Sequence, residues 1–199
     1  MKYIFDFDDT LLDTRKLKEA IFSVLEKNGV SRETSLERYL GHRASKKPFN
    51  LKFFLNSVLA WETEDSSRAE KLYEDIMAEC PKFLNQKMLE AIQRIGPENC
   101  YIVTEGEEEF QMDKIARSGL YPKYFPRERI KITDRDKSED VASICEANKS
   151  ESVIFIDDKR RHFTKIDRER CNNLTTIPYD ELHPVFLTNE GTSAEIKRK

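Results

Sequence analysis

A short apolar strand that breaks into acid at residue 6 constrains this chain more than any other feature. Tyr3, Ile4 and Phe5 are strand formers, and Asp6, Asp8 and Asp9 follow at once. A strand ending in carboxylates directs them past the carboxyl edge of its sheet, where open α/β folds place their ligands. Asp6 and Asp8 are two positions apart, so on an extended backbone both project to the same side. On these residues alone a solvated turn explains the acids as well as a site does, because Asp is frequent where strands end. The rest of the chain has to decide.

Beyond Thr14 the periodicity is helical. Leu17, Ala20, Ile21, Val24 and Leu25 form one stripe, with Asp13 or Thr14 as its cap and Asn28-Gly29 as its stop. Thr34 and Glu37 have the spacing of a capping box before Leu36, Tyr39 and Leu40. Gly41 to Pro48 reads as a loop, and Phe49 to Trp61 is apolar enough to be expected largely buried. Two more stripes follow, Ala69 to Ile76 and Leu84 to Ile95, stopped near Cys80-Pro81 and Gly96-Pro97. Residues 14–97 therefore read as helices only, a block able to pack as a small bundle.

Strands return at Cys100 to Thr104, Ile130 to Ile132, Ser152 to Ile156 and Leu174 to Ile177, with helices carrying Phe110 to Ala116 and Val141 to Ala147 between them. Strands alternating with helices imply an α/β fold, a Rossmann-like parallel sheet core to which the first strand also belongs. The expected organisation is a core formed by residues 1–13 and 98–199, with an all-helical domain inserted at 14–97. A chain of 199 residues is long enough for both. Asn189 to Lys199 is polar and expected to fray.

Charge narrows the partners. Lys+Arg 34 against Asp+Glu 37 leaves a net charge of only -3, without the one-signed excess of a nucleic-acid or membrane-surface protein. Cys80, Cys100, Cys145 and Cys171 are widely spaced with no C-x-x-C pair, which favours free thiols in a reducing compartment. No apolar run approaches the roughly 20 residues of a membrane span, and no basic-then-apolar leader opens the sequence. A soluble cytoplasmic protein is the expectation.

Three of the strands end on polar or reactive side chains: Asp6 with Asp8, Thr104, and Asp157 with Asp158. In a parallel sheet these ends share one edge, and Lys137 lies on a connection that starts near it. Clustered carboxylates repel one another unless a divalent cation lies between them, and hard oxygen ligands suit Mg²⁺. One carboxylate can attack phosphorus while a second acid protonates the leaving alcohol and later activates water. A hydroxyl and a lysine can hold the other phosphate oxygens. The inventory suits phosphoryl transfer.

Asp6-Phe7-Asp8-Asp9-Thr10 resembles the D-x-D-x-T signature of the haloacid dehalogenase-like (HAD) hydrolase superfamily. Thr104, Lys137 and Asp157-Asp158 are similar to its second, third and fourth motifs, in the right order, and the helical block is similar to the superfamily's inserted cap. The likeness spans about residues 2 to 163. It implies a phosphomonoesterase with Asp6 as the nucleophile that forms a phosphoaspartate, and Asp8 as the general acid/base whose backbone carbonyl also ligates Mg²⁺. Thr104 and Lys137 would bind the phosphoryl group, Lys137 also restraining Asp6. Asp157 and Asp158 would complete the metal site, Asp158 being the better match. A small phosphorylated metabolite is the implied substrate.

The sequence also departs from that pattern. Asp9 stands where the family often has Gly, and Glu105 follows Thr104 where a small or amide residue is usual. Glu107, Glu108 and Glu109 make the next helix start acidic, which suits the helix dipole. Arg160, Arg161 and His162 read as a solvated helix start. The one compact basic cluster of the insertion, His42, Arg43, Lys46 and Lys47, is either surface decoration or a loop that meets the substrate's non-reacting end. A mutase and a non-catalytic HAD-like binding module are the competing functions. A dehalogenase is disfavoured because those enzymes lack the second acid that Asp8 supplies here.

Overall fold

The computed structural model describes residues 1–45, 47–59 and 66–182. Lys46, Trp61 and the polar C-terminal stretch lie outside the described residues. Five strands, β1 (Lys2–Phe5), β2 (Cys100–Glu105), β3 (Ile130–Thr133), β4 (Val153–Asp157) and β5 (Leu174–Pro178), form one sheet in the order β3-β2-β1-β4-β5. Every pairing is parallel, so the sheet is doubly wound outward from β1. The sequence expectation of a parallel α/β core holds.

Alternation along the strands sends side chains to two separate cores. Tyr3 and Phe5 of β1, Ile102 of β2 and Ile154 and Ile156 of β4 join one apolar cluster. Ile4, Val103, Val153 and Phe155 join a second, closed by Val141, Ala142, Ile144 and Cys145 of helix α7 (Ser138–Ala147). The first cluster continues without a break into the helices that separate β1 from β2. All four cysteines are buried as free thiols.

Those helices are α1 (Thr14–Lys27), α2 (Arg32–Ala44), α3 (Leu51–Leu59), α4 (Ser66–Met77) and α5 (Gln86–Ile95), while α6 (Glu108–Arg117) follows β2. α1 packs on α2 and α4, and α3 packs on the same two, so four helices close a ring. α1 starts at Asp13 as expected, its carboxylate accepting from the Arg15 and Lys16 amides. Two boundaries differ from the sequence reading. α2 is capped by Ser31, whose hydroxyl accepts from the Thr34 amide, so the helix starts before the Thr34 box. It also runs through Gly41 to Ala44, because a glycine lowers helix stability by only about 1 kcal/mol and cannot by itself end a helix. Arg43 is therefore on the last turn of a helix and not in a loop. Within Phe49 to Trp61 the described residues are not uniformly buried, for Phe53 is 65% exposed.

The two ends of this helical block are held together at the sheet edge. The Phe7 carbonyl accepts from the amides of Thr10, Leu11 and Leu12, which winds the chain into a tight turn after β1. The returning chain is pinned there, with the Asp13 amide on the Phe83 carbonyl and the Asn85 amide on the Leu11 carbonyl. Asn85 Nδ2 adds a bond to the Thr10 carbonyl. Asp9 adopts φ 62° in this turn. That is the left-handed region glycine favours, which explains physically why the related motif tends to carry Gly.

Candidate active site

Strand register assembles the site. Phe5 pairs with Ile102 on one side and Ile156 on the other, so Asp6 emerges at the level of Asp157, with Thr104 just beyond on β2. The Asp6 amide donates to the Ile156 carbonyl at 2.9 Å, which extends the ladder to the nucleophile candidate itself. Lys137 reaches the same point from the N-terminal end of α7.

Lys137 is the centre of the buried half. Its Nζ donates to Asp6 Oδ1 at 2.6 Å and to Asp157 Oδ2 at 2.7 Å, and all three residues are buried. Burial opposes the charge on Lys137, but Asp6 and Asp157 outweigh it and hold the ammonium above the usual lysine range. Asp6 is pushed up to about 8, chiefly by burial, with Lys137 opposing and Asp157 and Asp8 adding to the rise. Asp157 goes the other way despite burial, because His162, Lys137 and the Lys159 amide all bond its carboxylate and lower it.

That pattern separates the two neighbouring acids. Asp157 spends its oxygens on Lys137, His162 and the Lys159 amide. Asp6 Oδ2 and Asp158 Oδ1, in contrast, are buried with no hydrogen-bond partner. A buried carboxylate oxygen without a donor costs about 1–3 kcal/mol or more, and a cation between the two would relieve it. Asp6, Asp157 and Asp158 offer oxygens that all lie within 4.8 Å of one another. An all-carboxylate set of this size fits a hard divalent ion such as Mg²⁺. Asp158, raised by burial, has an oxygen without a hydrogen bond, Oδ1, with Lys159 Nζ at 3.7 Å.

The Asp8 carboxylate does not join that group. It turns toward α6, where Lys114 Nζ donates to Oδ1 at 2.5 Å and Gln111 Nε2 to Oδ2 at 2.8 Å. Burial opposes ionisation of Asp8, yet these two donors prevail and hold its carboxyl below the usual range. The Lys114 ammonium also lies over the rings of Phe7 and Phe110, at 5.4 and 5.0 Å from their centroids. Gln111 Nε2 reaches the Thr104 hydroxyl at 3.3 Å and so ties the second motif to the first. Neither Gln111 nor Lys114 stands out in sequence as a site residue. The available signal is their interleaving with Phe110 and Ile115 on the buried face of α6.

His162 corrects the sequence reading. Arg160 and Arg161 are exposed in a 3-10 turn, Arg160–Lys165, but His162 is buried. Its Nδ1 is 2.8 Å from Asp157 Oδ2 and its Nε2 is 3.2 Å from Glu105 Oε2, so the ring bridges the ends of β4 and β2. Glu105, a departure from the motif, thus has a structural partner. Glu107, which opens the acidic run that follows, is structural too. Glu107 caps α6, its carboxylate accepting from the Glu109 and Phe110 amides. Asp9 accepts from the amide and hydroxyl of Thr14 at the start of α1.

A cavity of about 490 Å³ opens over Asp8 and Lys114, with Arg43, Lys47, Tyr39 and Phe49 on its far side. Of the basic cluster, Arg43 and Lys47 thus reach the same cavity as the second acid, while Lys46 lies outside the described residues. Among the described residues no helix is long and apolar enough to cross a membrane.

A doubly wound parallel sheet with two acids after its central strand and a helical block between its first two strands in sequence has the HAD-like hydrolase fold. The chain superimposes on a haloacid dehalogenase-like hydrolase from Burkholderia xenovorans LB400 with a TM-score of 0.66 and 21% identity, over 90% of this chain and 88% of the other. It also matches a haloacid dehalogenase-like family hydrolase from Xanthomonas campestris, with a TM-score of 0.51 and 17% identity, over 92% of this chain and 84% of the other. No protein-family model matches the sequence, and no curated protein matches it. The likeness is one of fold.

Proposed function

We propose that the chain is a Mg²⁺-dependent phosphatase that hydrolyses the phosphate monoester of a small metabolite through a phosphoaspartate at Asp6. The observation that carries this reading is the pairing of two buried carboxylate oxygens without a hydrogen bond, Asp6 Oδ2 and Asp158 Oδ1, the latter with only Lys159 Nζ at 3.7 Å, beside a lysine that already holds Asp6. An ammonium has three donors. Lys137 uses two on Asp6 and Asp157, which leaves one for a phosphoryl oxygen. Thr104 accepts from Gln111 and keeps its own proton for another.

The chemistry divides between the two acids. The Asp6 carboxylate attacks phosphorus, the bond from phosphorus to the ester oxygen breaks, and the departing alcohol takes a proton from the Asp8–Lys114 pair. Asp8, ionised beside Lys114, then takes a proton from water, which restores to the pair the proton given to the alcohol. That water attacks the phosphorus of the acyl phosphate, releasing phosphate and restoring Asp6. Asp6, Asp157 and Asp158 would hold a hard divalent cation, joined by the Asp8 carbonyl as the resemblance implies, and the cation would supply positive charge against which carboxylate and phosphate can approach. The helical block over the cavity limits the access of water to Asp8 and Lys114.

A panel of small phosphate esters tests the reading, assayed with Mg²⁺ and with chelator. The expected result is metal-dependent phosphate release that disappears in Asp6→Asn. Absence of release from every ester would remove the activity and favour the non-catalytic binding module. Transfer of phosphate between hydroxyls of one sugar, in place of release, would favour the mutase.

A further inference from the structure

The wall of the cavity that faces the acids comes from α1, the end of α2 and the chain just after it, and it is one-signed. Lys18, Arg43 and Lys47 line it, and it contributes no carboxylate among the described residues. The four acids of the cavity, Asp8, Asp9, Glu105 and Asp134, belong to the opposite side. Each already has a partner: Lys114 for Asp8, Thr14 for Asp9, His162 for Glu105 and Arg135 for Asp134. The cations of the core side are likewise paired, Lys159 with Asp158 and Arg161 with Glu105.

The three wall cations are not. Among the described residues none has a carboxylate within ion-pairing distance, and Lys18 instead lies 5.8 Å from the centre of the Tyr39 ring. Like charges gathered on one wall without counterions repel one another and raise the local potential for an anion. The same wall presents Tyr39 and Phe49, whose rings meet edge-on at 5.7 Å, and the apolar Leu17 and Ile21. A cavity of about 490 Å³ is the size of a small-molecule site and too small for a folded phosphoprotein.

We infer that this wall is a subsite for a second anion. The inference rests on the phosphatase reading and sharpens it: the substrate is a phosphate monoester whose alcohol carries a further anionic group, a carboxylate or a second phosphate, on a compact carbon body. Lys18, Arg43 and Lys47 bind that group while the ester phosphate lies against Lys137 and Thr104.

Three esters of matched length form the test: 3-hydroxypropyl phosphate, the same chain ending in carboxylate, and the bisphosphate of propane-1,3-diol. The expected result is a kcat/KM at least about tenfold higher for one or both charged esters than for the neutral one, carried mostly by KM. The two charged esters tell carboxylate from phosphate. That preference should collapse toward unity in the triple variant Lys18→Gln, Arg43→Gln, Lys47→Gln, and survive in Arg43→Lys. A second arm does not need turnover. Calorimetric binding of propane-1,3-bisphosphonate should weaken at least about tenfold in the triple variant, with both proteins showing the same far-ultraviolet circular dichroism. Equal turnover of neutral and charged esters, or equal bisphosphonate affinity in the two proteins, would overturn the subsite. No hydrolysis of any ester alongside weakened bisphosphonate binding would uphold the subsite and sink the phosphatase.

Discussion

Lys114 Nζ lies 2.5 Å from Asp8 Oδ1, so the second acid of the site has a lysine of its own, as Asp6 has Lys137. The two pairs differ in setting. Asp6 and Lys137 are buried with Asp157, whereas the Asp8 side chain is 22% exposed and faces the cavity. Lys114 is therefore placed to fix the orientation of Asp8 and to share its proton.

Replacing Lys114 with Met should leave Asp8 facing an apolar neighbour. The expected outcome is a kcat at least about tenfold lower with a smaller change in KM, since acid–base help is worth about 10²–10⁴ in rate. Breaking a buried pair costs about 3–5 kcal/mol, and the partial exposure of Asp8 lowers the expected loss to about 1–3 kcal/mol. Urea unfolding of the single variants and of Lys114→Met with Asp8→Asn gives the coupling. Additive losses would show that the two side chains do not interact.

The raised Asp6 carboxyl predicts that the proposed cation binding depends on pH. A carboxyl whose folded pKa lies above its unfolded value stabilises the fold fully below the unfolded value. That contribution disappears as pH rises through the folded value, here from near 3.8 to about 8. In chelator, Asp6 therefore costs stability increasingly across that window, and Asp158, raised in the same direction, adds to the slope. A cation must displace the proton, so Mg²⁺ affinity should climb by up to about tenfold per pH unit below pH ~8. Thermal shifts with and without Mg²⁺ at pH 6, 7 and 8 measure this, and a metal-induced gain independent of pH would rule it out. In Asp6→Asn the slope should be much reduced.

His162 bridges Asp157 and Glu105, and its removal should be felt at the proposed cation site. His162→Phe removes one partner from each of two carboxylates, leaving Asp157 with Lys137 and the Lys159 amide and Glu105 with Arg161. Loss of a residue that orients a metal ligand typically costs 10–100-fold in affinity or activity, so Mg²⁺ affinity should fall by about that range. His162→Gln, which retains a donor, should recover part of it. Wild-type Mg²⁺ affinity in His162→Phe would mean that Asp157 needs no help from the ring.

Asp9 serves the turn and the start of α1. Asp9→Gly relieves a positive φ while losing the bonds to Thr14, so the expected change in stability is within about 1 kcal/mol. Asp9→Val loses the bonds and keeps the strain, with an expected cost of about 1–3 kcal/mol. Chemical denaturation that ranks the two alike would remove strain from the account.

The legible parts of the fold were those where an apolar run ends abruptly. Asp6, Thr104 and Asp157 each terminate a buried strand of a parallel sheet, and one register places all three. Lys137 was legible from its junction with α7. Lys114, Gln111 and His162 were not, because their roles depend on what lies opposite. Lys114 meets an acid 106 positions away, and His162 sits in a polar run that shows nothing of its burial. The end of α2 was misplaced for a related reason. Gly41 is a weak local stop, and Ser45 caps the helix through backbone and hydroxyl bonds to His42 that no local pattern announces.

Asp6 carries the central claim, and a trapped intermediate tests it most directly. Protein turning over a hydrolysed ester is quenched in acid, digested and weighed by mass spectrometry. The account expects one phosphoryl group on the peptide containing Asp6, removable by hydroxylamine and absent in Asp6→Asn. Steady hydrolysis with no phosphorylated peptide, undiminished in Asp6→Asn, would contradict it.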